Sequence, residues 1–373
     1  MSKILFPSAR LGVMGSGQLG RMFAQEAIRM GYRVSVYSPE RNTPAALAGA
    51  EEVVVPYEDE TSLRKFLESV DAVTFEFENI PNTELTIIED FSKETGLVVS
   101  PRPECIRIAQ HRIREKKTFR NLGLPTVDFY PITNKSDAIE AAEKCKFPAV
   151  LKTSTFGYDG KGQTKYNSKE EFRFWAGSLG REPLDLILEE WASFDKEASV
   201  ILARSRDGKS FCFSPSENVH KNHILDVTIH PGKFPEKNKN AMAAAAVRLA
   251  EGIDYVGVFG LEFFIVGETF LLNEFAPRPH NSGHFSQDAA SVSQFELQVR
   301  TLVGLPIPDF ISSSDSSMKN ILGQDFAPDS EQWLKYMSDA RYSLHLYGKS
   351  DPRRDRKMGH WNYVGENPEN AFL

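Results

Sequence analysis

Residues 256–275 read VGVFGLEFFIVGETFLLNEF, and this stretch decides how the central part of the chain folds. Two apolar runs, 256–265 and 269–275, flank a turn at Gly267. Runs rich in Val, Ile and Phe that meet at a glycine turn predict two antiparallel strands. The hairpin would belong to an antiparallel sheet, because residues 186–229 also show several closely spaced strand patterns.

Two glutamates stand on this predicted hairpin, Glu262 on the first strand and Glu274 on the second, with Asn273 next to Glu274. Neighbouring antiparallel strands can bring the two carboxylates side by side. Carboxylates among apolar residues are costly to bury unless they are paired or bound to a metal. Two carboxylates together with substrate phosphates are a usual way to hold Mg²⁺, so the pair predicts a magnesium site. The alternative is that both glutamates point outward from a half-exposed sheet.

The segment after the second strand, residues 276–284, reads APRPHNSGH and is rich in groups that bind anions and hydroxyls. The His280-x-x-x-His284 and His220-x-x-His223 spacings are also compatible with a zinc pair. No cysteine or further histidine stands at ligand spacing to either pair, so an anion- and ribose-binding loop is the favoured interpretation.

A lysine and a glycine-rich loop precede the hairpin in the chain. Lys152 ends an apolar run over 149–152, and residues 155–163 read TFGYDGKGQ. Such a loop can close over a polyphosphate and present its N–H groups, while the lysine supplies a positive charge. A phosphate-binding loop is therefore predicted, with an ordinary surface hairpin loop as the alternative.

The first hundred residues alternate short apolar runs with amphipathic stretches, which predicts a parallel sheet with helices on both faces. The predicted strands are residues 11–14, 33–37, 53–55 and 72–77, and the predicted helices are 18–29 and 60–68. Beyond this unit, helices are predicted over 106–121 and 241–251.

A G-x-G-x-x-G motif at residues 15–20 follows the first strand and opens the first helix. Dinucleotide binding there would need an acidic residue at the end of the second strand, where Tyr37 stands instead; Glu40 lies beyond Pro39. Two other interpretations stay open: a tight turn between strand and helix, and an anion site at the helix N-terminus.

A basic cluster lies near the end of the chain. Residues 353–360 read RRDRKMGH, although the net charge of the chain is −7. Basic clusters are usually solvated, but one that runs into Met358-Gly359 is also suited to a phosphate pocket.

Composition restricts the classes of function. The chain has 373 residues, of which 41% are hydrophobic and 25% charged, as in ordinary globular proteins. Its net charge argues against nucleic-acid binding, and no apolar run is long enough to span a membrane. Three widely spaced cysteines indicate neither a disulfide framework nor a zinc site, and no signal peptide is visible, so a reducing cytoplasm is predicted.

Taken in order, these motifs resemble the ATP-grasp ligases, and more narrowly the family of 5-(carboxyamino)imidazole ribonucleotide synthetase, the ATP-dependent carboxylase of bacterial purine biosynthesis. The resemblance covers nearly the whole chain. The matching segments are GSGQLGR at 15–21, TFEFEN at 74–79, GYDGKGQ at 157–163, NEFAPRPHNSGH at 273–284 and RKMGH at 356–360. The last two separate this family from other ATP-grasp ligases. Phe156 is a departure, because a second glycine is common there.

The resemblance implies an α/β protein with the ATP-grasp fold. A Rossmann-like pre-ATP-grasp domain with a parallel sheet would cover residues 1–110. An α+β ATP-grasp domain would cover residues 111–300, with its lid at about 126–188, and a small C-terminal unit that binds the substrate phosphate would cover residues 301–373. The resemblance also implies a homodimer whose partners are small molecules, with no nucleic acid and no membrane.

Roles for individual residues follow from the same resemblance. ATP would be surrounded by Arg112, Lys152, Gly157, Tyr158, Asp159, Gly160, Lys161, Gly162, Gln163, Glu189, Glu190, Trp191, Ala192, Glu197, His220, Asn273 and Glu274. Mg²⁺ would be held by Glu262 and Glu274. The ribonucleotide and bicarbonate would be bound by Gly17, Gln18, Leu19, Glu76, His280, Asn281, Ser282, Arg353 and Lys357, and catalysis would involve Tyr158, Asp159, Lys161, Glu76 and Arg278. The backbone of residues 190–192 would read the base edge, and Glu197 the ribose.

The implied reaction is the carboxylation of the exocyclic amine of 5-aminoimidazole ribonucleotide with bicarbonate and ATP, through carboxyphosphate. A closing loop around Tyr158 would exclude water from that intermediate, and Asp159 or Glu76 would handle the amine proton. The alternatives are another ATP-grasp ligase such as a formate-dependent transformylase, a nicotinamide-dependent oxidoreductase built on the first glycine motif, and a nucleotide sensor without catalysis. The oxidoreductase leaves the Glu262–Glu274 pair without a role.

Overall fold

The computed structural model describes residues 4–155 and 162–372, and within them the strands form three sheets. The N-terminal sheet consists of β1 Arg10–Met14, β2 Arg33–Ser38, β3 Glu51–Val54, β4 Ala72–Phe75 and β5 Val98–Val99, with helices α1 Gln18–Arg29, α2 Glu60–Glu68 and α3 Asn82–Thr95. Its strands are parallel in the order β3-β2-β1-β4-β5. The predicted parallel sheet is therefore confirmed, and the predicted helices coincide with α1 and α2.

Two short helices, α4 Pro103–Ala109 and α5 Arg112–Asn121, connect this sheet to the rest of the chain. The prediction of one helix over 106–121 is wrong, because His111 has extended backbone angles. The Gln110 side chain makes a long-range contact at this break. Its Nε2 donates to the backbone oxygen of Glu78 at 2.6 Å, which ties the junction of the two helices to the loop after β4.

The second sheet is antiparallel and contains β6 Phe129–Ile132, β7 Ala149–Thr153, β8 Gln163–Tyr166 and β9 Leu186–Glu190, in the order β6-β9-β7-β8. Helices α6 Lys135–Lys144 and α7 Lys169–Ser178 cover one face of it. Phe172 from α7 and Leu188 from β9 are fully buried in the shared core, which leaves the other face of the sheet for the cavity described below.

The third sheet contains β10 Lys196–Arg204, β11 Ser210–Cys212, β12 Ser216–Lys221, β13 Ile224–His230, β14 Gly257–Val266, β15 Thr269–Ala276, β16 Ser316–Leu322, β17 Tyr342–Leu346 and β18 Lys357–Val364. Its order is β15-β14-β10-β12-β13-β16-β18-β17, with β11 paired to β10. The predicted hairpin is confirmed as β14 and β15. The C-terminal strands extend this sheet through the β13–β16 pair and do not form a sheet of their own. Helices α8 Glu236–Gly252, α9 Ser286–Ala289, α10 Gln294–Val303 and α11 Glu331–Met337 accompany it.

Helix α10 joins the first and third sheets. Val299 and Leu302 pack into the core of the parallel sheet, while Leu297 packs into a core cluster of the third sheet. Gln298 adds a hydrogen bond from its Nε2 to Thr74 Oγ1 at 3.1 Å. This packing holds the loop after β4 against the loop after β15. None of the helices in the described segments is long and apolar enough to cross a membrane.

Candidate active site

A cavity of about 1100 Å³ lies between the β6–β9 sheet and the third sheet. Ionisable side chains from distant parts of the chain line it, including Glu78 after β4, Lys152 on β7, Glu189 on β9, Glu262 on β14 and Lys357 on β18. Burying so many charged groups is costly unless they bind each other or a ligand.

The β14–β15 hairpin carries a bulge where it faces this cavity. Between two regular pairs, one residue of β14, Glu262, faces two residues of β15, Asn273 and Glu274. Successive side chains of a regular strand point to opposite faces, so an extra residue is needed to turn two neighbours to the same side. The bulge brings all three side chains to the cavity wall, as the sequence predicted for this group.

The Glu262 carboxylate is held by weak contacts. Asn273 Nδ2 donates to its Oε2 at 3.3 Å, and His280 Nε2 lies 3.3 Å from its Oε1. Burial and the negative charge of Glu274 raise the pKa of Glu262 to about 7. Arg112 Nη1 lies 3.9 Å from Glu274 Oε2, too far for a hydrogen bond. Within the described part of the chain, the contacts of the carboxylate pair are thus long ones, at 3.3 to 3.9 Å.

A second charged group lies across the cavity. Lys152 Nζ donates to Glu189 Oε2 at 2.6 Å, and the buried Lys116 on α5 adds a further positive charge nearby. Burial opposes the ionisation of Glu189, but the charges of Lys116 and Lys152 outweigh it and lower the pKa of Glu189 to about 2. Lys116 was not predicted from the sequence; the only signal was a lysine one turn after Arg112 on the predicted helix.

Glu197 and His220 form a pair on the floor of the cavity. His220 Nδ1 lies 2.7 Å from Glu197 Oε2, and the two residues stand on the neighbouring strands β10 and β12. Burial would lower the pKa of His220, but the hydrogen bond to Glu197 and the charge of Glu262 raise it above its ordinary value.

The segment after β9 contributes aromatic surface at the cavity mouth. Lys165 Nζ lies 3.7 Å above the Trp191 ring, and Phe194 stacks on Phe264 with ring centroids 4.5 Å apart. The backbone N–H groups of Glu190 and Trp191 donate to other backbone oxygens of the protein. These two donors therefore do not face a base edge, although both residues line the cavity.

Part of the predicted glycine loop is not described. Gly157, Tyr158, Asp159, Gly160 and Lys161 lie outside the described residues. Gly162 accepts a hydrogen bond from Thr153 N at 3.0 Å, and Gln163 begins β8 at the cavity wall.

Family models match the chain in three consecutive segments. A ribonucleotide synthetase preATP-grasp domain matches residues 8–110, an ATP-grasp domain matches residues 117–295, and a phosphoribosylaminoimidazole carboxylase C-terminal domain matches residues 316–371.

Whole proteins match over the full length. N5-carboxyaminoimidazole ribonucleotide synthase of Brucella melitensis biotype 1 is 37% identical over 95% of this chain and 96% of its own. The chain belongs to the N5-carboxyaminoimidazole ribonucleotide synthase family. A crystal structure of an ADP complex of the synthetase matches with a TM-score of 0.91 and 35% identity, covering 100% of this chain and 96% of the other. The Aspergillus clavatus enzyme in complex with ADP and 5-aminoimidazole ribonucleotide matches with a TM-score of 0.85 and 27% identity, covering 98% and 96%. As a member of this family, the chain is an ATP-dependent ligase.

The family's first glycine motif surrounds a carboxylate of the chain itself. The N–H groups of Gly17 and Gly20 donate to Glu76 at 2.5 and 2.6 Å. Burial raises the pKa of Glu76 despite these donors. The anion position at the N-terminus of α1 is thus filled by Glu76. Gln18 begins α1, and Leu19 packs against Met22 in the interior.

The loop after β15 contains residues that line the cavity and residues that are buried behind them. Arg278 forms a paired contact with Glu78, with Nε 2.7 Å and Nη2 3.2 Å from its two oxygens. Asn281 lines the cavity, and its side-chain amide has no hydrogen-bond partner within the described residues. Ser282, by contrast, is fully buried and bonds to His280 Nδ1 at 2.8 Å. The structure therefore places Ser282 behind His280, where it does not contact the cavity.

The C-terminal basic cluster of this family member is also divided. Lys357 lines the cavity, but Arg353 lies outside it, with a 71% exposed side chain and its Nε 2.8 Å from Asp351 Oδ2. This placement does not support the predicted phosphate contact of Arg353, because its guanidinium group lies at the surface, where it contacts Asp351 and solvent. A nearby residue was missed: Lys349 donates to the backbone oxygen of Lys357 at 2.9 Å. Burial and the charge of Arg356 lower the pKa of Lys349 to about 8.

The sequence signal for Lys349 was weak. It follows Gly348 and stands three residues after the end of β17, while Lys152 stands near the end of β7 before a glycine loop. A single Gly-Lys step is too common to single out without the structure.

Proposed function

We propose that this chain carboxylates the exocyclic amine of 5-aminoimidazole ribonucleotide with bicarbonate and ATP, forming N5-carboxyaminoimidazole ribonucleotide, ADP and phosphate. The observation that carries the proposal is one cavity in which the Glu262–Glu274 pair and Lys152 lie together with Arg278 and Lys357. A ligase that passes an unstable acyl phosphate to an amine must hold the nucleotide and the ribonucleotide in one enclosed space.

ATP is bound between the β6–β9 sheet and the third sheet. Lys152 contacts its phosphates, and Glu197 with His220 lies where a ribose can be held. The aromatic rings of Trp191 and Phe194 flank the base at the cavity mouth. By family resemblance, we assign phosphate binding also to the glycine loop of residues 157–163.

Mg²⁺ is held by Glu262 and Glu274. No group of three or more His, Cys, Asp or Glu side chains in the described segments is arranged to hold a metal by itself. Two carboxylates beside an amide oxygen still fit Mg²⁺, which proteins hold with one or two carboxylates and the substrate phosphates. Burial and the charge of Glu274 raise the pKa of Glu262, and a bound cation would oppose both effects by favouring the ionised form. When bound, the ion neutralises the charge that develops on the phosphates.

The reaction proceeds in two transfers. A bicarbonate oxygen attacks the γ-phosphorus, which gives carboxyphosphate and ADP, and Lys152 and Arg278 stabilise the negative charge. The amine nitrogen then attacks the carboxyl carbon, phosphate leaves, and the amine loses a proton. Both oxygens of Glu76 already accept N–H groups, so Asp159 is the first candidate to take this proton and Glu76 the second.

The ribonucleotide is bound on the side of the cavity lined by His280, Asn281 and Lys357, with His280 next to Glu262. Lys357 binds its 5′-phosphate, and Lys349, which donates to the backbone oxygen of Lys357, adds positive charge nearby. We also propose the division into residues 1–110, 111–300 and 301–373, a homodimer, and a cytoplasmic location, which follow from the family resemblance.

ADP release measured with bicarbonate, with and without 5-aminoimidazole ribonucleotide, tests this function. We expect ADP release to depend on both bicarbonate and ATP, and carboxylated ribonucleotide to form in equal amount when the amine is present. ADP release that responds to formate but not to bicarbonate would identify a transformylase instead.

A further inference from the structure

The β15 bulge places two backbone groups where the β14 strand does not satisfy them. Asn273 and Glu274 share one partner residue on β14, so the ladder of hydrogen bonds is interrupted there. Unpaired backbone groups in a protein interior cost free energy. The conformation that turns both side chains to the cavity therefore needs support from another element.

Two adjacent residues of α5 supply that support. Lys116 Nζ donates to the backbone oxygen of Asn273 at 3.0 Å, and the N–H of Phe275 donates to Glu115 Oε1 at 2.7 Å. Both side chains are almost completely buried, with 1% and 2% exposure. Lysine and glutamate are rarely buried so fully, and here each one is used to bond the backbone on one side of Glu274.

We propose that Lys116 and Glu115 are positioning residues that hold the β15 bulge, so that Asn273 and Glu274 both face the metal–nucleotide site. This inference rests on the proposed function, because it assumes that Glu274 binds Mg²⁺ together with the nucleotide. Lys116 also bonds to Thr126 Oγ1 at 3.2 Å, and Thr126 donates to the backbone oxygen of Leu272 at 2.8 Å, so the same contacts continue along β15.

A simple electrostatic role is the competing explanation. Lys116 contributes positive charge beside Glu189, and Glu115, when ionised, would contribute negative charge beside Glu274, although burial and Glu274 raise the pKa of Glu115 to about 8. If only charge mattered, removing the lysine and removing the glutamate would change nucleotide affinity in opposite directions. If the bulge is positioned by both residues, the two substitutions weaken the same property, which is the tightening of ADP binding by Mg²⁺.

The experiment measures the Kd of ADP by calorimetry in Mg²⁺ and in EDTA for Lys116→Met, Glu115→Leu and Glu115→Gln. Lys117→Met is the matched control, because Lys117 is exposed on the same helix. We expect Lys116→Met and Glu115→Leu each to lose about tenfold to a hundredfold of the Mg²⁺ effect, the usual range for residues that orient metal ligands. Glu115→Gln keeps an acceptor for the N–H of Phe275, so this variant should retain most of the Mg²⁺ effect on ADP binding.

Opposite changes in the two variants, or an unchanged Mg²⁺ effect in both, would overturn the proposal. If Lys116→Met does not fold, the comparison of Glu115→Leu with Glu115→Gln decides alone, since only the former removes the acceptor. Failure of the proposed metal site is a separate outcome: Mg²⁺ would then not tighten ADP binding to the unmodified protein.

Discussion

Glu76 and Glu262 are carboxylates whose pKa is raised by burial, yet their surroundings differ. Glu76 accepts two short hydrogen bonds, from Gly17 and Gly20 at the N-terminus of α1. Glu262 lies beside Glu274, and among the described residues its closest polar side-chain contacts are the two at 3.3 Å, with Asn273 and His280. Backbone donors of the chain satisfy the first carboxylate, while the second belongs to the pair to which we assign the proposed Mg²⁺. The difference supports placing the proposed metal at Glu262, which lines the cavity.

The largest effect is expected at the carboxylate pair. Glu262→Gln or Glu274→Gln should reduce the kcat for ADP formation by about a hundredfold to a thousandfold, the scale for removing one preorganised electrostatic group. Steady-state ADP release measures it, and circular dichroism checks that the fold is retained. Near-normal turnover in Glu262→Gln would show that Glu262 is not needed for the reaction, and the metal assignment drawn from the contrast with Glu76 would then be wrong.

The next prediction distinguishes the ribonucleotide site from the nucleotide site by their KM values. Lys357→Ala should raise the KM for 5-aminoimidazole ribonucleotide by about tenfold to a hundredfold, because a charge-assisted contact to phosphate contributes about 1.5–3 kcal/mol. The KM for ATP should stay within about twofold. Arg353→Ala is the matched control and should change neither constant, since Arg353 is exposed beside Asp351. An equal loss for ATP would place Lys357 at the nucleotide end.

Most of the fold followed from sequence patterns, because strand and helix periods are local. The hairpin of β14 and β15 and the helix α1 were predicted close to their observed bounds. The break between α4 and α5 was missed because the local pattern over residues 106–121 favours one helix, while contacts at the break, such as Gln110 Nε2 to Glu78 O, join parts of the chain that are far apart in sequence.

In the site, too, local sequence motifs could be recognised, but contacts between distant parts of the chain could not be predicted. Motifs located Glu262, Glu274 and Lys152, but their spacing could not show that Arg353 is turned to solvent. Nor could it show that Lys116 is buried against Asn273 O, since that contact depends on how α5 packs on β15. The burial of single lysines is set by tertiary packing, which one sequence does not report.

A smaller effect tests whether Glu76 is satisfied by the chain. Glu76→Gln keeps one acceptor but turns an NH₂ group toward the second N–H, so the free energy of unfolding should fall by about 1–3 kcal/mol. Thermal denaturation measures it. Glu40→Gln on the exposed loop after β2 is the matched control and should leave Tm unchanged. A Tm for Glu76→Gln equal to that of the control would mean that the two backbone donors contribute nothing.

The smallest effect is a pH dependence of the metal-free protein. Since the pKa of Glu262 is about 7 in the folded state and near 4.5 ordinarily, the folded state binds this proton more tightly than the unfolded chain does. Its stabilising contribution is fully present below about pH 4.5 and is lost as the pH rises through 7. In EDTA, the Tm of the unmodified protein should therefore fall as the pH rises from about 5 to about 8, the range of this titration. The Tm of Glu262→Gln should fall by a few degrees less over the same range. Mg²⁺ with ADP should reduce the difference in pH dependence of Tm between the two proteins, because a bound cation favours the ionised carboxylate. Identical slopes for the two proteins in EDTA would show that folding does not raise the pKa of Glu262, and the contrast drawn between the two carboxylates would then be wrong.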